Sequence, residues 1–173
     1  MRLAALATAV GITLLGTVAI AQSVSYDFDR SADFSKYKTY SWTEGTRVAD
    51  ELNHNRVVRA IDAQLAMKGF TKVDAGSSPD MLVAYHASFD KDLQINVLGS
   101  GFPRFGGMRS GTATTQEIVT GTIVVDMMDA NTNAVVWRGM ASKEVNVSAK
   151  PEKRENEINR AAQKVFRNYP PQR

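Results

Sequence analysis

Histidine and carboxylate are the side chains best suited to proton transfer or metal binding in this 173-residue chain, which has two His, 18 Asp and Glu, and no Cys. His86 is the first to weigh. It follows Tyr85, with Asp80 and Asp90 close by in sequence, and a His beside carboxylates can serve as a general base or a metal ligand. The spacing argues against both. Six residues of extended chain cover about 20 Å, so Asp80 and His86 of one strand cannot share an ion. A structural histidine bonded to a neighbouring strand is the plainer reading. His54 stands near the start of a helix pattern and is expected to be exposed. Two isolated His and no Cys do not make a transition-metal set.

Carboxylate pairs raise calcium instead. Asp27 and Asp29, and Asp126 and Asp129, are closely spaced, but calcium needs six or more oxygens and neither pair sits in a recognisable calcium loop. Solvated strand ends are expected there. Gly99-Ser100-Gly101-Phe102-Pro103-Arg104 opens like a dinucleotide fingerprint. Arg104 replaces the third Gly, Pro103 intrudes and no helix follows, so the phosphate cradle is missing. No Gly-x-Ser-x-Gly elbow is present. No catalytic residue, metal site or cofactor is therefore expected. The segment Gly99–Gly111, with five Gly and no period, predicts a mobile loop. Its Phe102, Arg104, Phe105, Met108 and Arg109 are the residue types that carry interface energy, so this loop is the candidate contact surface.

The elements that would position these groups follow from periodicity. Val24, Tyr26 and Phe28 alternate with polar residues and predict a strand. Tyr37–Trp42 is aromatic and β-prone and predicts a second. Asp50–Lys68 carries Val57, Val58, Ile61 and Leu65 at helical spacing, with acidic residues at its start and Gly69 at its stop. Phe70–Val73 is a short strand. Met81–Phe89 and Leu93–Val97 read as two strands. Gln116–Met128 reads as one, with a break expected at Gly121. Asp129–Asn133 is a turn, and Val135 restarts a strand reaching towards Val147. Pro151 opens a last helix whose stripe is Ile158, Ala161, Ala162, Val165, Phe166 and Tyr169. Strands do not alternate with helices. The expected fold is therefore α+β, a mainly antiparallel β-sheet with two α-helices packed on one face, in a single domain over 22–173.

The N-terminus predicts a destination. Met1-Arg2 is followed by an uncharged run from Leu3 to Ile20, then Ala19-Ile20-Ala21, a small-x-small pattern. This is the layout of a secretory signal peptide over 1–21 with cleavage after Ala21. A periplasmic or secreted domain with no remaining membrane span is expected. The 21 Lys and Arg nearly balance the 18 Asp and Glu, for a formal charge of +3, which gives no pull towards nucleic acid.

The sequence Ala32-Asp33-Phe34-Ser35-Lys36-Tyr37-Lys38-Thr39-Tyr40-Ser41-Trp42 resembles the opening of a bacterial envelope family, domain-of-unknown-function family 4136. Lys68-Gly69-Phe70, Pro79-Asp80-Met81-Leu82-Val83, Tyr85-His86, Gly121–Asp126, Val136-Trp137-Arg138-Gly139 and Pro151-Glu152-Lys153-Arg154 continue the resemblance in order along nearly the whole chain. It implies an exported α+β domain and no defined reaction. Many members look like lipoproteins; the absence of Cys near Ala21 departs from that pattern and implies a protein without an acyl anchor. The function expected is a non-catalytic binding, interaction or structural domain of the envelope, whose partner is another envelope protein or a small ligand. The alternatives are a hydrolase of envelope material using His86 with Asp80, Asp90 or Asp126, and a small-molecule carrier with its pocket between sheet and helices.

Overall fold

A computed structural model describes residues 23–74, 76–98 and 112–172. The proposed signal peptide and the loop residues Phe102, Arg104, Phe105, Met108 and Arg109 lie outside the described residues. The elements are β1 (Ser23–Phe28), β2 (Thr39–Trp42), α1 (Glu51–Met67), β3 (Thr71–Lys72), β4 (Met81–Leu98), β5 (Thr112–Asp129), β6 (Val135–Glu144) and α2 (Pro151–Val165). One sheet contains all six strands in the order β1-β6-β5-β4-β2-β3. β1, β6, β5 and β4 are mutually antiparallel, and β2 lies parallel to both β4 and β3. The fold is thus α+β with a mostly antiparallel sheet.

Local chemistry sets the helix ends. The Asp50 side chain caps α1 by accepting from the Asn53 N–H at 2.9 Å, which satisfies one of the first-turn donors. At the other end Gly69 adopts φ +87°. That lets the Phe70 N–H reach Leu65 O and the Gly69 N–H reach Ala66 O, both at 3.0 Å. This double closure satisfies the last carbonyls, and Phe70 and Leu65 are both buried beside it. α2 begins with Pro151 at its first position, where a missing N–H costs nothing.

Two strands are longer than their hydropathy predicts. β4 runs unbroken through Asp90-Lys91-Asp92 to Leu98, and β5 passes straight through Gly121. Both strands continue because each pairs with the other along this length, and Lys91 reaches diagonally across to Glu117 at 3.1 Å. The β5–β6 turn forms as expected. Asp129 Oδ1 accepts from the Asn131 and Thr132 N–H groups at 2.9 and 3.2 Å, and Asn133 takes φ +56°, a conformation Asn tolerates.

Alternation gives the sheet two faces. Met81, Val83, Tyr85, Val125, Met127 and Trp137 share one face and are buried. Both helices cover that face: Val57 and Ile61 of α1 and Ile158, Ala162 and Val165 of α2 close over Ile123 and Val125. The stripe predicted for the last helix docks, but the helix ends at Val165; Phe166–Asn168 form a 3-10 turn and Tyr169 is extended. Phe166 is fully buried and stacks on Trp137 with centroids 5.3 Å apart, and Tyr169 meets Trp137 edge-on at 5.4 Å. Gly139 makes this closeness possible, because a Cβ there would fall onto the Trp137 ring and 2.7 Å from Val165 Cγ1.

Candidate functional site: an apolar groove between helices and sheet

Along the same face, small residues leave space. Ala87 of β4, Gly121 and Ile123 of β5 and Ala141 of β6 form a floor; Val57 of α1 and Ile158 and Ala161 of α2 form walls. Larger side chains at 87, 121, 141 and 161 would fill the hollow. In their place is an open groove of about 420 Å³, within the range of small-molecule sites. Phe89 and Val147 stand at its mouth, 57% and 64% exposed. Water pays heavily for such apolar surface, and an apolar ligand would remove it.

The rim is polar and internally paired. Lys143 Nζ and Glu157 Oε1 are 3.1 Å apart. Arg154 donates to Val147 O at 2.8 Å, and Asp50 is occupied in capping α1. With these polar groups engaged within the protein, the groove selects for shape and apolar surface.

The residues singled out for chemistry are distributed elsewhere. His86 lies on the sheet face away from the helices and meets Asp126 of β5, with Nε2 3.6 Å from Oδ2. The Thr46 N–H donates to His86 Nδ1 at 3.1 Å, which leaves the ring proton on Nε2, directed at Asp126. Arg138 also donates to Asp126 from Nε and Nη2, at 2.5 and 2.6 Å. Asp126 is therefore not a solvated strand end. It is 4% exposed and held in a two-pronged ion pair that braces β5 to β6.

Asp80 is remote from His86, accepting from the Lys38 and Thr39 N–H groups at 2.8 Å each. These donors hold its carboxyl below the ordinary range. Asp90 is exposed, four residues along β4 from His86, or about 13 Å. Of the carboxylates proposed to work with His86, Asp126 meets it and Asp80 and Asp90 do not.

Asp129 also departs from expectation. It sits on the opposite face from Asp126, is 5% exposed, and accepts from Lys36 Nζ at 2.8 Å and the Tyr37 hydroxyl at 2.9 Å. Lys36 and then Tyr37 hold its pKa well below the usual carboxylate range. Of the calcium pairs, Asp29 binds Ser31 and Asp27 accepts from the Phe28 N–H. Among the described residues no three His, Asp or Glu form a metal-binding group. His54 is half-buried instead of exposed. Its Nδ1 lies 2.6 Å from the Tyr85 hydroxyl, a partner 31 residues away that local sequence does not reveal. The groove itself had a faint signal, in small residues at apolar phases of three strands and a helix.

The sheet order, the two helices on one face and the groove beneath them describe a class, a two-layer α+β domain. The chain belongs to the family described as domain of unknown function (DUF4136), whose model matches residues 24–171. Among solved structures, a DUF4136 family protein from Bacteroides thetaiotaomicron is similar at a TM-score of 0.54 and 13% identity, over 86% of this chain and 96% of that one. The PelC dodecamer of Paraburkholderia phytofirmans matches at a TM-score of 0.53 and 9% identity, over 84% and 96%. A PDZ domain protein from Parabacteroides distasonis gives 0.55 and 15% over 88% of this chain, which spans 37% of that protein's length. At these identities the likeness is one of fold. No curated protein matches the chain.

Proposed function

We propose that the chain is an exported, non-catalytic binding domain of the cell envelope, and that the groove between the helices and the sheet receives the apolar part of a small ligand. The groove carries this reading: about 420 Å³ of apolar-walled space between helices and sheet, produced by small residues on four elements. The signal-like N-terminus supports export. Phe102, Arg104, Phe105, Met108 and Arg109 remain our assignment for contact with another envelope component, on their composition.

The groove is tested with an apolar fluorophore such as N-phenyl-1-naphthylamine. The unmodified protein should bind it saturably. Ala161→Trp and Ala87→Leu, which fill the groove from opposite sides, should each weaken binding roughly tenfold or more, the scale of a lost apolar contact. Unchanged thermal melting of at least one variant would separate filling from unfolding. Absent saturable binding, or equal binding by a folded groove-filled variant, would overturn the reading.

A further inference from the structure

The β4–β5 hairpin outgrows the sheet. β6 pairs with β5 only from Thr120 to Met128, and the last contact on that edge is the Val145 N–H donating to Val119 O at 2.7 Å. Beyond it β4 and β5 continue together from Lys91–Val119 to Leu98–Thr112, eight further pairs. Among the described residues no third strand accompanies them. The result is a two-stranded arm about 27 Å long. Such a ribbon is marginal alone in water and has two open edges.

The edges differ. The β4 edge begins Asp90-Lys91-Asp92, charges of the kind that discourage strand addition. The β5 edge reads Thr112-Ala113-Thr114-Thr115-Gln116-Glu117-Ile118, β-prone with one charge. Its backbone phase is set by the bond at Val119. Because Val119 O faces the β6 side, the N–H and C=O groups of Glu117, Thr115 and Ala113 face outward on the same side.

We propose that this edge, residues 112–118, pairs antiparallel with the same edge of a second copy, centred on Thr115. A two-fold axis there sets Thr115 against Thr115 of the other copy, Ala113 against Glu117 and Thr112 against Ile118. All three outward-facing residues then meet outward-facing partners, as an antiparallel ladder requires. No like charges are opposed, whereas pairing two β4 edges about Lys91 would set Asp90 against Asp92. The ladder fits the available length, since the β6 edge resumes at Val119 and blocks a longer overlap. The dimer would carry a continuous four-stranded bridge, β4-β5-β5-β4, between two bodies.

Light scattering on the chain lacking residues 1–21 should give a mass rising from one copy to two with concentration. Thr115→Pro removes an N–H that faces away from β4, so the fold and its melting should persist while the association constant falls roughly tenfold or more. The chain has no Cys, so single cysteines report register. A short bis-maleimide should link Thr115→Cys between copies and fail with Ile118→Cys, whose two copies would lie about 20 Å apart. A monomer at every concentration, or a dimer that Thr115→Pro leaves intact, would overturn the proposal. So would linkage at 118 in place of 115.

Discussion

Asp129 and Asp80 set the acid side of this molecule's response to pH. Asp129 gathers Lys36, the Tyr37 hydroxyl and two turn N–H groups around one side chain, tying the segment before β2 to the β5–β6 turn. Asp129→Ala should cost about 2–4 kcal/mol in urea unfolding, since it strands the buried Tyr37 hydroxyl and releases the turn. The pH profile follows with a definite sign. Asp129 and Asp80 have folded pKa values below their unfolded ones, so their contribution is complete above about pH 4 and is lost as pH falls through the lower folded values. Burial pushes the Tyr37, Tyr40, Tyr85 and Tyr169 hydroxyls up. Their contribution is complete below about pH 10 and is lost as pH rises towards the folded values. Melting temperature plotted against pH should show a plateau between these limits, and a low-pH edge displaced in Asp129→Asn. At this scale the sequence says least. The identities of Asp126, Asp129 and His54 were plain, but their partners lie on other strands and helices, and only tertiary folding brings them within reach.

Among the elements, α2 gives the clearest case of pattern translating into packing. Its apolar stripe was visible from spacing alone, and the structure places Phe166 against Trp137 with no exposed surface. Phe166→Asp should destabilise by several kcal/mol, because the carboxylate would be buried without a partner; chemical denaturation measures this, and melting equal to the parent would contradict the docking. Gly139→Ala probes the same contact from the sheet. The added methyl would collide with the Trp137 ring and crowd Val165, and a loss of about 1–3 kcal/mol is expected from overpacking. The helices were legible because caps and periodicity agree: Asp50 and Gly69 both act at the ends they mark. The long strands were not, because β4 continues past its charged residues by pairing with β5, a partner more than 20 residues away along the chain.

For the whole molecule, β1 and β3 form the outer edges and both helices lie on one side. Fold class was readable from the order of elements, since strands outnumber helices and the β5–β6 hairpin announces antiparallel pairing. The parallel placement of β2 beside β4 was not, because no local signal distinguishes it from an antiparallel neighbour. A pocket between sheet and helices was among the readings, but its lining was not: small side chains at four separate positions gain meaning only once their elements are assembled.

The closing of the core joins the two ends of the domain. β1 pairs with β6 from Ser23 to Phe28, and Trp137 is covered by Phe166 and Tyr169, within the last eight residues of the chain. A chain made from its N-terminus therefore lacks the lid over Trp137 until Phe166 and Tyr169 have been added. Contacts so distant in sequence also form slowly. Docking of these aromatics thus marks the change from an open sheet face to a closed core.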